Sequence, residues 1–209
     1  MSGKVRIIGG RWRGRRLEVP DLPGLRPSGD RGRETLFNWL QHRIHGARCL
    51  DLFAGTGALG LEAVSRGAAR VTLVERDRSL CDALRQIRAG WPGGERLELV
   101  QADVRHWLET AAGPFDLVFL DPPFDAGLYG ASLDALARPG LLTPGAWIYV
   151  ESDARSAAPI AAQEAVECAS APCLAADFET TPRWSVRREK CLGEVRMQLL
   201  EAAPDDTGH

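Results

Sequence analysis

From residue 48 to residue 151 the chain alternates between short apolar runs and stretches whose apolar residues recur three and four apart. Runs at 49–53, 71–75, 97–101, 115–120 and 146–151 predict strands, and the intervening stretches at 58–66, 79–89, 104–111 and 128–138 predict helices. Strands joined through a helix lie parallel, because a parallel pair needs a crossover of a dozen or more residues. Strands that read apolar throughout are covered on both faces. The segment therefore predicts an α/β fold, a doubly wound, mostly parallel, Rossmann-like sheet with helices on both sides. Two further alternating stretches, 184–189 and 194–200, flank Lys190-Cys191-Leu192-Gly193. They predict a C-terminal antiparallel hairpin that completes a seven-stranded sheet.

The chain ahead of this rhythm has a different character. Val5 to Val19 reads as two short strands around Gly9-Gly10, a small N-terminal β-hairpin extension. Pro20, Pro23 and Pro27 then punctuate a loop. Ser28 or Asp30 can cap a helix running to about residue 45, with Leu36, Phe37, Leu40 and Ile44 at helical spacing. Residues 1–48 hold 11 Lys/Arg against 4 acids, whereas the rest of the chain holds 15 against 24. A basic head on an acidic body points to a polyanionic partner, the plainer alternative being a solvated basic surface. On a strand, Arg11, Arg13 and Arg15 would share one face beside Arg16. Trp12 would lie opposite, either in the core or stacked on a base. The expected division is a basic hairpin extension over 1–25, one domain over 26–201 and a disordered tail over 202–209. The Ala-rich stretch 154–176 predicts a helix and a variable loop.

With 209 residues, 44% of them hydrophobic, the chain can bury a sizeable core. It has no apolar run of 18 residues and no secretory leader pattern, so neither a membrane partner nor export is expected. Its five cysteines form no CxxC pair, which points to reduced thiols in a cytoplasm and to no zinc. His42 and His45 stand three apart without an HExxH pattern, so no metal is expected there. Trp147 and Trp184 are read as core, and Arg187-Arg188 as a solvated hairpin.

Asp51-Leu52-Phe53-Ala54-Gly55-Thr56-Gly57-Ala58-Leu59-Gly60 falls where the first predicted strand meets the first helix. Ligands of open α/β sheets bind at the carboxyl ends of the strands, and glycines there admit a ligand close to the backbone. Glu75 closes the second strand, where a carboxylate can accept from ribose hydroxyls. These features leave NAD, S-adenosylmethionine and a purely structural turn all open.

The fourth strand ends in Asp121-Pro122-Pro123-Phe124. Two prolines supply no N–H to a ladder, so the strand must stop there with rigid geometry and bare carbonyls. An exocyclic amino group on a base is a poor nucleophile, its lone pair being delocalised into the ring. Hydrogen bonds from that group to the Asp121 carboxylate and the Pro122 carbonyl favour a pyramidal nitrogen and stabilise its developing positive charge. Phe124 can stack on the base. The combination favours methyl transfer from S-adenosylmethionine, with S-adenosylhomocysteine as product.

The sequence resembles the class I amino-methyltransferases, in which a glycine loop precedes a DPPF motif. More closely it resembles the bacterial 16S ribosomal RNA (guanine(966)-N(2))-methyltransferases. The specific matches are Arg6-Ile7-Ile8-Gly9-Gly10, Trp12-Arg13-Gly14-Arg15, Gly24-Leu25-Arg26-Pro27 and the stretch from Asp30 to Leu40. The resemblance implies a guanine N2 target in the small-subunit RNA, met within a small-subunit or assembly particle, and a monomeric enzyme. It implies that Asp51, Phe53, Gly55 and Gly57 line the cofactor, that Glu75 takes its ribose and that Asp103 takes the adenine amino group. It also implies that the segment carrying Arg26, Ser28 and Arg33 closes over the methionine end. Gly32 stands where an aliphatic residue is expected, weakening the first helical turn by up to about 1 kcal/mol relative to Ala. The competing readings are a DNA amino-methyltransferase acting on adenine N6 or cytosine N4, a dehydrogenase, and a non-catalytic RNA-binding assembly factor.

Overall fold

The computed structural model describes residues 4–18, 29–123, 128–156 and 184–203. An antiparallel pair, β1 (Lys4–Arg6) and β2 (Arg16–Glu18), opens the chain, followed by α1 (Asp30–Trp39). Then come β3 (Arg48–Asp51), α2 (Ala58–Ser65), β4 (Arg70–Glu75), α3 (Arg78–Gly90), β5 (Leu97–Gln101), α4 (Val104–Thr110), β6 (Phe115–Leu120), α5 (Leu128–Leu136) and β7 (Leu142–Asp153). The hairpin β8 (Trp184–Leu192) and β9 (Val195–Ala202) closes the described chain.

Strands β3 to β9 form one sheet in the order β5-β4-β3-β6-β7-β9-β8. The first five are parallel, and β9 runs antiparallel to both β7 and β8. The chain thus starts in the middle, winds outward to β5, then returns to lay β6 on the other side of β3. The carboxyl ends of β3 and β6 adjoin at that reversal, the place where an open α/β sheet forms its ligand crevice.

The side chains of each strand alternate between two cores. Leu117 and Phe119 pack with Leu36, Phe37, Leu61 and Leu84 of α1, α2 and α3. Val118 and Leu120 pack with Leu108 of α4 and with Leu133 and Leu136 of α5. This is the period of two that a strand covered on both faces must show. Val5, Ile7, Trp12 and Leu17 join the first core, so the N-terminal pair covers α1 and α2 with buried side chains.

Several local expectations are corrected. The regular ladder of the N-terminal hairpin ends at Arg6 and Arg16; Ile7 still bonds across to Arg15 and Gly14, both at 2.9 Å, and residues 8–13 form a loop with one 3-10 turn, Gly10–Trp12. Arg11, Arg13 and Arg15 therefore sit on no strand, and alternation does not give them a common face. The cause is a close approach: a Cβ on Gly10, whose φ is +73°, would lie 1.9 Å from the Ser65 carbonyl oxygen. Gly29, not Ser28 or Asp30, occupies the cap position of α1, and no side chain caps it. The helix ends at Trp39, and the turns that follow close at Gly46, with φ +78°. The strand β7 begins at Leu142, and the C-terminal hairpin pairs down to Leu192 and Val195 around Gly193, with φ +63°. The helix and loop expected over 154–176 lie outside the described residues from 157 onward, as does the tail from 204.

Candidate active site

The glycine loop takes its shape from the strands it leaves. Asp51, the last residue of β3, is buried, and its Oδ2 accepts the N–H of Gly60 at 3.0 Å, in the first turn of α2. Burial, and less strongly the charge of Glu75, raise the Asp51 carboxyl to about 7, while the Gly60 N–H pulls the other way. A Cβ on Gly60 would lie 2.3 Å from Leu73 Cδ2 and 3.1 Å from Asp51 Oδ2. Glycine is required there so that helix and sheet can meet. Gly57 has φ +78°, and a Cβ on it would meet Leu84 Cδ2 at 2.6 Å. Gly55 also has a positive φ, +54°, and its N–H donates to Glu75 Oε2 at 2.8 Å. The other oxygen of Glu75 accepts the Asp77 N–H at 2.7 Å. At the carboxyl edge Glu75 thus holds Gly55, Asp51 separately holds Gly60, the Gly57 N–H donates to the Ala54 carbonyl at 2.6 Å, and half-buried Phe53 packs against the second core.

Two further carboxylates extend this edge. Asp103, after β5, caps α4 by accepting the Arg105 N–H at 2.9 Å, which holds its carboxyl below the usual range. Asp77, which sequence reasoning missed, caps α3 by accepting the Leu80 N–H at 3.0 Å, and its carboxyl is lowered chiefly by Ser79.

The proline exit stands beside the loop. Asp51 pairs with Phe119, and the Leu52 N–H donates to the Phe119 carbonyl at 3.1 Å. Two residues beyond that pairing, β3 enters the glycine loop and β6 reaches Asp121. Asp121 is half-buried, Pro122 is buried and Pro123 is exposed. Behind them is a cluster the sequence reading also missed. The Tyr149 hydroxyl donates to buried Glu151 at 2.7 Å, and the Tyr129 hydroxyl donates to the Glu151 carbonyl at 2.9 Å. Burial, with the charges of Glu151 and Asp121, raises both phenols, so each hydroxyl stays a donor. Glu151 follows Val150, which pairs with Leu120, so it stands level with Asp121, although its own strand runs on to Asp153. The available signal was that the apolar run of this strand ends in a carboxylate at 151.

Other expected residues are elsewhere. Arg33 is 1% exposed. Its Nη2 donates to the Arg6 carbonyl at 2.9 Å and to Asp30 at 2.6 Å, and its Nη1 lies 3.9 Å from Glu62. It joins α1 to the hairpin. Trp12 is buried and donates its indole N–H to the Pro92 carbonyl at 2.9 Å, so it belongs to the core and is no stacking platform. Arg11, Arg13 and Arg16 are exposed, while Arg15 is half-buried against Trp91. Arg26, Ser28 and Phe124 lie outside the described residues. Among the described residues no group of three or more His, Cys, Asp and Glu could hold a metal ion.

The reversal of winding, the glycine loop under Glu75 and the acidic proline exit define a class I S-adenosylmethionine-dependent methyltransferase. Within that class, the chain belongs to the family described as Conserved hypothetical protein 95, whose model matches residues 5–170. It is 44% identical over 201 residues to the Ribosomal RNA small subunit methyltransferase D of Escherichia coli (strain K12), covering 96% of this chain and 91% of that protein. It is equally 44% identical to the protein of that name from Haemophilus influenzae, covering 96% of this chain and 95% of the other. Among solved structures, the yhhF protein of Escherichia coli superimposes with a TM-score of 0.74 at 41% identity, covering 97% of this chain and 100% of that one. An RNA methyltransferase from Salinibacter ruber in complex with S-adenosyl-L-homocysteine, at 15% identity and a TM-score of 0.59, shares the fold; it covers 88% of this chain and 100% of its own.

Proposed function

We propose that this protein transfers a methyl group from S-adenosylmethionine to the exocyclic N2 of a guanine in 16S ribosomal RNA of the small subunit. The observation that carries the reading is the adjacency of Asp121-Pro122-Pro123 to the glycine loop, through the paired strands β3 and β6. Two close relatives are named for small-subunit ribosomal RNA methylation and match along nearly their whole length. The acceptor is met within a small-subunit or assembly particle, and the protein acts there as a cytoplasmic monomer. Among the described residues no helix is long and apolar enough to cross a membrane.

The residues present fit the cofactor. The glycines let the loop lie close on the core, where a Cβ would meet Leu84 or Leu73, and acidic acceptors stand at three successive strand ends. When bound, S-adenosylmethionine supplies a methyl group activated by its positive sulfur. Glu75 has lone pairs left for ribose hydroxyls after accepting two backbone N–H groups. Asp103 takes the adenine amino group, and Phe53, Gly55 and Gly57 line the site above Asp51. The segment carrying Arg26 and Ser28 bounds the methionine end, while Arg33 anchors the following helix to the hairpin and does not reach the cofactor. Asp121 and the Pro122 carbonyl accept from the guanine amino group, and Pro123 and Phe124 bound its ring plane. Residues 1–25 form the basic extension, and Arg11, Arg13, Arg15 and Arg16 meet RNA phosphates.

The test is methylation of small-subunit particles and of protein-free 16S RNA, with the modified nucleoside identified by mass spectrometry. N2-methylguanosine should form, and Asp121→Ala should abolish its formation while cofactor affinity stays within a few-fold. A different methylated nucleoside, or methylation of DNA alone, overturns the reading.

A further inference from the structure

The turn after α3 meets the tip of the N-terminal hairpin on the edge of the molecule opposite the candidate active site. The helix α3 leaves the carboxyl edge at Asp77 and runs back over 13 residues, so its far end lies roughly 20 Å from that edge. Trp91 follows it. The Trp91 ring meets Trp12 edge to face, with centroids 5.1 Å apart, and carries the Arg15 guanidinium 4.7 Å above its centroid. It lines a cleft of about 440 Å³ together with Arg85, Arg88, Pro92 and the carboxylate-bearing Glu95. The Trp12 indole, bonded to the Pro92 carbonyl, ties the hairpin tip to this turn. Gly93 turns the chain at φ +91°, and a Cβ built there would stand 3.4 Å from Arg11 Nη1.

Arg15 therefore covers a half-buried indole, with Arg88 in the same cleft and Arg11 beside Gly93 at its edge. Among the described residues, Arg11, Arg15 and Arg88 have no carboxylate within 4.0 Å, whereas Arg85 is paired with Asp82. Glu95 lines the same cleft but makes no ion pair within 4.0 Å with these three, so their mutual repulsion is only partly offset, and a bound polyanion relieves the rest. An aromatic face beside guanidinium groups is the combination that takes a single-stranded nucleic acid: the ring stacks on a base and the arginines pair with phosphates.

We infer that the cleft beside Trp91 is a second RNA-binding site, which seats an unpaired segment of the same RNA, away from the nucleotide that is methylated. The inference rests on the RNA reading given above. The site sets affinity and placement of the substrate and takes no part in chemistry.

The experiment compares wild type with Arg15→Glu/Arg88→Glu, Trp91→Leu and Trp91→Phe. Affinity for protein-free 16S RNA and for small-subunit particles is measured from low to moderate salt, alongside KM, kcat and S-adenosylmethionine affinity. The double variant should bind both RNA forms at least tenfold more weakly. Its plot of log affinity against log salt should be shallower by roughly one unit or more. Trp91→Leu should lose about tenfold, and Trp91→Phe, which keeps a stacking face, should recover most of it. KM should carry the loss, with kcat and cofactor affinity unchanged. Arg88→Gln alone, at an exposed position, should cost severalfold and keeps the test decisive if the double variant folds poorly. Unchanged RNA affinity and salt slope overturn the inference. Weakened particle binding with unchanged binding to protein-free RNA also overturns it, since the partner is then a ribosomal protein. A wild-type protein that methylates no RNA defeats the underlying reading instead.

Discussion

Glu75 and Gly55 are joined across the end of the sheet: the Glu75 carboxylate accepts the Gly55 backbone N–H at 2.8 Å. The same carboxylate accepts the Asp77 N–H at 2.7 Å, so one side chain holds both the glycine loop and the entry to α3. A hydrogen bond to a charged group contributes about 1.5–3 kcal/mol. Glu75→Ala should therefore weaken S-adenosylmethionine binding by roughly 10- to 100-fold by calorimetry. Turnover at saturating cofactor should fall much less. Unaltered affinity would show that the loop keeps its shape without this carboxylate.

Asp51 makes stability depend on pH. Its carboxyl rises from 3.8 to about 7, burial being the main cause. Between those values the folded state holds a proton that the unfolded state releases. The contribution is thus complete below pH 3.8 and is lost as pH rises through about 7. The span corresponds to roughly 4 kcal/mol at most. Urea unfolding should find the wild type less stable at pH 8 than at pH 5 on this account. Asp51→Asn, which keeps an acceptor for the Gly60 N–H, should flatten the profile. An identical pH profile in the variant would place the titration at another group.

The parallel strands were legible because both their faces are covered, so that Leu50, Val74 and Val118 fall in continuous apolar runs. The proline exit was legible because Pro122 and Pro123 cannot extend a ladder. Gly55, Gly57 and Glu75 were legible as a group because strand ends and glycines coincide. The paths of Arg11 and Arg13 were not, since they follow from Gly10 pressing on the Ser65 carbonyl, a contact between distant parts of the chain. Nor was the burial of Glu151, whose partner Tyr149 lies on its own strand in a pattern shared with many exposed pairs. Nothing in the helical pattern of α2 marks Glu62 as other than a surface carboxylate, yet it is wholly buried.

Gly60 should resist even alanine. A Cβ would press on Leu73 Cδ2 at 2.3 Å, in a fully buried setting. Overpacking of this kind costs about 1–3 kcal/mol. Leu73→Val removes the atom in the way, so Gly60→Ala and Leu73→Val should be less damaging together than their sum by about 1 kcal/mol or more. Denaturation of the four proteins in the cycle measures this. Simple additivity would mean that Gly60 is demanded by Asp51 Oδ2 instead.

Glu62 fastens the basic hairpin to the domain. Its oxygens accept the N–H groups of Ile8 and Gly9, both at 2.7 Å, and the Arg66 Nε at 2.7 Å. The buried Arg33 lies 3.9 Å away. Glu62→Ala leaves two half-buried donors and the buried Arg33 cation without this partner, a loss of about 3–5 kcal/mol. At this chain length each kcal/mol is worth about 2–4 °C, so the melting temperature should fall by roughly 10 °C. The loss should concentrate at the hairpin, because Glu62 touches neither the glycine loop nor the proline exit. Trypsin should therefore cut at Arg11, Arg13 and Arg16 well before the sheet opens, and RNA affinity should fall further than cofactor affinity. Protection of those arginines equal to the wild type, at temperatures below melting, would show that Val5, Ile7, Trp12 and Leu17 hold the hairpin by apolar burial alone.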